Sequence, residues 1–152
     1  IRAGGNLSLA ITEERILLAW GENSDGQLGR GAATTTDVPT PTGIAADVVD
    51  AAAADLFLLL ATSDGRVLAA GANASGQLGD GTTTARNVLT QASGVSGAST
   101  VTAGNRSFAL ALVGDGRVFA WGDNAAEQLA NSTLPAAGTS TPTVVPNFDA
   151  IP

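Results

Sequence analysis

The string GENSDGQLGRG at 21–31 returns as GANASGQLGDG at 71–81 and, with fewer glycines, as GDNAAEQLANS at 122–132. Gly71 lies 50 positions after Gly21, and Gly122 lies 51 after Gly71. The same spacing aligns TEERILLAWG (12–21), TSDGRVLAAG (62–71) and VGDGRVFAWG (113–122). Further upstream it aligns AGGNLSLAI (3–11), AADLFLLLA (53–61) and AGNRSFALAL (103–112). Ala3, Ala53 and Ala103 are therefore equivalent, and the third copy carries one extra residue before its Asp-Gly turn. A unit this short cannot bury its own apolar face, so copies must stack on their neighbours. The expected organisation is one continuous array of three repeats, at about 3–52, 53–102 and 103–152.

Each copy reads as β-structure. In the first, Leu7, Leu9 and Ile11 alternate with Ser8, Ala10 and Thr12, the period-two signature of a half-buried strand. Asp64-Gly65 and Asp115-Gly116 stand between two such runs and predict hairpins closed by type I′ turns. The first copy has Glu14-Arg15 there, which predicts a different or strained turn. The run after each turn stops at a glycine, and a polar Thr- and Pro-rich connection leads to another short apolar stretch such as Val48-Val49. Three or four strands per repeat without helical periodicity describe an all-β fold of β-propeller blades, each a four-stranded antiparallel sheet.

The glycines of the repeated string suit a tight backbone excursion at positive φ that passes close to a neighbour. Gly26, Gln27, Leu28 and Gly29 are thus expected to form a structural turn, as are Gly76, Gln77, Leu78 and Gly79. The Gln would bond orphaned backbone groups and the Leu would plug the core beneath. Gln128 and Leu129 continue the pattern, but Glu127, Ala130 and Ser132 take the glycine positions, which predicts a differently shaped or weaker turn.

Composition narrows the function. The formal charge is −7, from seven basic and fourteen acidic residues, which opposes binding to nucleic acid or to anionic membranes. No apolar run reaches the roughly 20 residues that span a bilayer, so no membrane insertion is expected. Cys and His are absent, which removes disulfides, thiol nucleophiles, His-based triads and the usual zinc sites. No cofactor, metal or catalytic residue is expected, and the chain reads as a non-enzyme. An acidic, Thr- and Ala-rich chain favours an extracellular or cell-surface setting.

The pattern A-G-G-N-x-S-L-A-I-T, then D-G-R-V-x-A-W-G, then N-x-x-G-Q-L-G-x-G resembles the repeat of the RCC1-like family over essentially the whole chain. A looser likeness exists to the bacterial propeller that inhibits β-lactamases, through the A-W-G half. The RCC1 resemblance implies seven-bladed propellers of four-stranded antiparallel blades. Trp20 and Trp121 match the family's A-W-G tryptophan and Ala70 does not. The family's common His after A-G-x-x is replaced by Leu7, Phe57 and, by register, Ser107. Three blades do not close a ring. Reading from Asp149 through Pro152 into Ile1 of another copy restores the six-position interval between Asp47 and Ala53. The chain is then either a window of a longer propeller, or copies join end to end in a ring or filament.

Among lesser candidates, Asn6, Asn73, Asn105 and Asn131 each open an N-x-S/T sequon. Asn23, Asp25, Asn73 and Ser75 lack the spaced carboxylates of a calcium loop, and capping of the turn is the expected role. Arg66 and Arg117 are expected to pair with Asp64 and Asp115. The glycine-rich string precedes no helix and carries no Lys, so it does not cradle phosphate. The leading expectation is a scaffold that binds another macromolecule through loops 30–42, 80–90 and 131–141, which vary most between copies. Arg30, Thr34, Asp37, Asp80, Arg86, Asn87, Asn131 and Thr133 are the candidate partner-binding residues. The alternatives are a self-assembling structural or surface-displayed repeat, whose partners are copies of itself, and, by the resemblance, guanine-nucleotide exchange on a small GTPase.

Overall fold

A computed structural model describes residues 1–42 and 47–146 and contains three four-stranded antiparallel sheets, one per repeat. The first is β1 (Arg2–Gly4), β2 (Leu7–Ile11), β3 (Leu17–Gly21) and β4 (Thr36–Pro41). The second is β5 (Val48–Ala53), β6 (Phe57–Thr62), β7 (Val67–Gly71) and β8 (Arg86–Gln91). The third is β9 (Ala98–Gly104), β10 (Phe108–Val113), β11 (Val118–Gly122) and β12 (Thr139–Val144). Strands neighbour one another in chain order, the meander of a propeller blade. The all-β, bladed expectation holds. The proposed joint from Asp149 to Pro152 lies outside the described residues.

Apolar alternation places Leu7, Leu9, Leu17 and Ala19 of the first blade against Val48, Ala51, Leu58 and Leu60 of the second. The other face of the second blade, with Phe57, Leu59, Val67 and Ala69, packs on Val101, Ala109, Ala111 and Trp121 of the third. The middle blade is thus covered on both faces, and all six residues of β6 are buried. Blade-to-blade contact runs through the first strands, β1 on β5 and β5 on β9.

The sheet hairpins correct one expectation. Gly65 and Gly116 have positive φ, but Asp64 and Asp115 do not, so these are not type I′ turns. The Gly65 N–H donates to the Thr62 carbonyl and the Thr62 N–H to the Arg66 carbonyl. This is a three-residue loop in which a type I turn ends on a left-handed glycine. The first blade makes the same two bonds, from Arg15 to Thr12 and from Thr12 to Ile16, and forces Arg15 to φ 60°. Strain, rather than a new turn, is what the missing glycine produces there.

The extra residue of the third repeat falls in the turn between β9 and β10, where Ser107 has φ 60°. Register pairs Leu7 with Gly21, Phe57 with Gly71 and Phe108 with Gly122. Phe108, not Ser107, is therefore the equivalent of Leu7 and Phe57.

Candidate functional site

Each repeated string forms the loop between the third and fourth strands of its blade. An Asn opens it, and this side chain organises the rest. Asn23 Oδ1 accepts from the Leu28 N–H at 2.8 Å while its Nδ2 donates to the Ala32 and Thr34 carbonyls. Asn73 repeats the arrangement with the Leu78 N–H and the Thr82 and Thr84 carbonyls. Asn124 does so with the Leu129 N–H and the Pro135 carbonyl. All three asparagines are buried, so the Asn73 sequon is inaccessible in the folded chain. Sequence reading treated Asn23 and Asn73 as turn caps, passed over Asn124, and did not see that each ties both ends of its loop. Their recurrence two positions after the A-W-G glycine was the available signal.

Gln27, Gln77 and Gln128 accept through Oε1 from the N–H two residues earlier, of Asp25, Ser75 and Ala126. Gln128 also donates to Asp123, whereas Gln27 Nε2 is buried without a partner among the described residues. Leu28, Leu78 and Leu129 are fully buried beneath. Gly26, Gly29, Gly76 and Gly79 all have positive φ and touch the following blade. A Cβ on Gly26 would stand 2.6 Å from Asn87 Cα, and one on Gly76 would stand 2.4 Å from Ser140 Cα. Glu127 and Ala130 hold the left-handed geometry without glycine, at φ 59° and 49°.

At the second and third blades this contact centres on Trp121, fully buried, which donates its indole N–H to the Gln77 carbonyl. A Cβ on Gly79 would come within 2.8 Å of that nitrogen. At the first and second blades Ala70 stands where Trp121 stands, and Leu89 fills the vacated space, its Cγ lying 2.9 Å from a Cβ placed on Gly29. Registry places Pro39 and Pro142 at the position of Leu89. Trp with Pro thus exchanges for Ala with Leu.

The loops sit at one end of the blades together with the turns between first and second strands. The N–H groups of Glu22, Ala72 and Asp123 donate to the carbonyls of Asn6, Leu56 and Ser107, which fixes this common face. The opposite face carries the hairpins in which Arg66 pairs with Asp64 and Arg117 with Asp115. Those two carboxylates titrate below the usual range, Asp64 chiefly through the Thr62 hydroxyl and Asp115 chiefly through Arg117.

The eight loop residues singled out by sequence have distinct placements. Asp80 is almost fully enclosed and receives Arg86 at 2.8 Å, the Thr82 N–H and hydroxyl, and Asn73. Burial alone would raise the Asp80 pKa, but the Thr82 and Arg86 hydrogen bonds together outweigh it and hold the carboxyl below the ordinary range. Asn87 donates to the Gly31 carbonyl of the preceding blade, and Arg30 pairs as a bridge with Val88 of the next. Arg30 and Thr34 also meet within their loop, at 3.4 Å. Asn131 accepts from Thr133. Asp37 lies in β4, and its side chain is outside the described residues.

On this face Glu22, Asp25, Asp55, Asp123 and Glu127 stand against Arg30 and Arg106, with Asp80 and Arg86 paired to each other. Among the described residues no cluster of three metal-ligating side chains occurs, and no helix is long and apolar enough to cross a membrane.

A carboxylate that sequence reading passed over joins all three blades near their first strands. Asp50, 8% exposed, receives the Arg2 guanidinium of the first blade at 3.1 Å and the Val101 N–H of the third at 3.0 Å. An acid inside the otherwise apolar run VVDAAA was the only sign of it.

Residues 16–60 and 99–128 match two models described as the regulator of chromosome condensation (RCC1) repeat. Among solved structures, yeast RCC1 (Prp20) bound to Kap60 superposes with a TM-score of 0.81 at 23% identity, covering 97% of this chain and 36% of that one. Saccharomyces cerevisiae Prp20p, described with its binding properties to Gsp1p and histones, gives 0.79 at 22% identity, covering 97% and 38%. Human WBSCR16 gives 0.76 at 26% identity, covering 95% and 36%. The chain spans little more than a third of the length of each. Its three four-stranded blades and the two repeat matches show a chain built of RCC1-like repeats.

Proposed function

We propose that the chain is a non-enzymatic propeller scaffold that binds a protein partner through the loop-bearing face. The observation that carries this reading is the acidic excess of that face, displayed on loops anchored by buried Asn and Leu. Rigid anchoring with variable tips is how a scaffold presents specificity. A face carrying Glu22, Asp25, Asp55, Asp123 and Glu127 fits a partner with a basic surface, drawn in by long-range attraction. The structures of yeast Prp20 with Kap60, and its described binding to Gsp1p and histones, support protein binding as the general use of this fold.

The test is capture from host extract with three proteins: the unaltered chain, Asp25→Lys/Asp55→Lys/Glu127→Lys on the loop face, and Glu13→Lys/Glu14→Lys on the other face. Calorimetry then follows on the purified captured protein. Stoichiometric binding that only the loop-face variant loses supports the reading. Binding lost only in the opposite-face variant overturns it, and a captured small GTPase with accelerated nucleotide release would support exchange instead.

A further inference from the structure

The turns between first and second strands close on Gly5-Asn6, Asp55-Leu56 and Arg106-Ser107, one pair per blade. The carbonyl of each second residue accepts from the residue that follows the glycine ending the third strand. The pairs are Asn6 with Glu22, Leu56 with Ala72 and Ser107 with Asp123. At this register the first and third blades set a polar residue beside an acid, whereas the middle blade sets leucine beside alanine.

Leu56 is 44% exposed. The turn does not require it, since Asn6 and Ser107 make the same backbone bond in the other blades. The middle blade is packed on both faces by its described neighbours, and Leu56 stays exposed between them. Of the other exposed large apolar side chains among the described residues, Val38, Val49, Val88 and Leu112 stand within strands and Ile1 precedes β1. A lone exposed leucine is ordinary on a protein surface. The border of this one is not. Asp55 lies against the first blade, where a side chain on Gly5 would meet its carboxylate. A Cβ on Gly71 would meet the Leu56 carbonyl and stand 3.0 Å from Gln27 Cβ, so the first blade's loop runs beside the leucine turn. That loop carries Glu22 and Asp25, and the Asp25 N–H is tied to Gln27 Oε1 at 2.9 Å. Arg106 is the cation of the third blade's turn.

We infer that Leu56, together with Ala72, is the apolar anchor of the loop face, and that it fits a protein segment whose own apolar side chain is flanked by Lys or Arg. An apolar centre inside a charged rim is the arrangement in which a few central side chains carry most of the binding. Asp55, Asp25 and Glu22 complement the flanking cations, and Leu56 takes the side chain between them. This rests on the loop-face reading and adds the chemistry of the contact.

The test uses two peptides of equal charge: acetyl-Lys-Arg-Leu-Leu-Arg-Lys-amide, and the same peptide with both leucines replaced by serine. Each is titrated into the isotope-labelled unaltered chain and into Leu56→Asn, and binding is followed by backbone amide shifts. Leu56→Ser, matching Ser107, repeats the measurement, and thermal unfolding checks that both variants fold. The leucine peptide is expected to bind the unaltered chain about tenfold more tightly than the serine peptide, with shifts centred on Leu56 and Ala72. Both variants are expected to bind the two peptides equally. Equal affinities for the unaltered chain, with shifts at Asp25 and Asp55, would overturn the anchor and leave the acidic face standing. A preference for leucine that survives both substitutions would also overturn it. If neither peptide shifts the loop face, the loop-face reading falls and the anchor with it.

Discussion

The indole N–H of Trp121 in the third blade meets the backbone carbonyl of Gln77 in the second at 2.9 Å, with both groups buried. The bond forms only because residue 79 has no side chain. Gly79→Ala introduces a methyl 2.8 Å from the indole nitrogen and places alanine at φ 73°. The combined clash and backbone cost is expected to be about 2–4 kcal/mol. Trp121→Phe keeps most of the packing but orphans the Gln77 carbonyl, a loss of about 1–3 kcal/mol. Urea unfolding of both variants checks the order: Gly79→Ala should unfold at lower urea than Trp121→Phe if the clash outweighs the bond.

The exchange of Trp with Pro for Ala with Leu makes a coupling prediction. Ala70→Trp alone drives an indole into the space of Leu89 and should destabilise by about 1–3 kcal/mol. Leu89→Pro alone empties that space. Together they recreate the pairing of Trp121 with Pro142, and the double variant should be more stable than the sum of the two losses implies. A double-mutant cycle by thermal or urea unfolding measures this, and strict additivity would show that Leu89 does not compensate for Ala70.

The repeat and its strands were legible because alternation and a fixed period leave marks on every copy. What was not legible depended on contacts between copies. Ala70 looked like a lost tryptophan, because nothing in its own repeat says that Leu89 replaces the bulk. Asp50 was passed over because its partners, Arg2 and Val101, are 48 and 51 positions away. The Asp-Gly pairs signalled hairpins correctly but not the turn, since one residue more in the loop lets Asp stay at negative φ. Of the loop residues offered for binding, Asp80 and Arg86 hold each other, and Asn87 holds the preceding blade. Polarity in a loop marks exposure and internal bonding alike, and only geometry separates the two.

Asp50 should matter more than Arg2, although the two form one ion pair. Arg2 is 58% exposed in its side chain, so its contribution is screened and Arg2→Ala should cost no more than about 1 kcal/mol. Asp50→Ala leaves the buried Val101 N–H without an acceptor and should cost about 1–3 kcal/mol. Asp50→Asn keeps an acceptor oxygen and should fall between the two. Thermal unfolding of the three variants tests the ranking, and equal losses for Arg2→Ala and Asp50→Ala would assign the effect to the ion pair instead.

The acid limb of stability should report Asp80. Its pKa is held below the ordinary carboxylate value because the hydrogen bonds from Thr82 and Arg86, with the Arg86 charge, together outweigh burial. A carboxyl whose folded pKa is depressed binds fewer protons folded than unfolded. Its stabilisation is therefore complete above the unfolded value, about 3.9, and is lost as pH falls through the lower folded value. Asp80→Asn removes the charge and with it that dependence. The variant should be less stable than the unaltered chain at pH 7, and the gap should narrow as pH falls below about 4. The amide oxygen of the variant side chain would still accept from Thr82, but its NH₂ would face Arg86 without a charge to offer, so some gap should persist at the lowest pH. Urea unfolding between neutral and acid pH measures both curves, and a gap that stays constant with pH would show that Asp80 contributes hydrogen bonds alone.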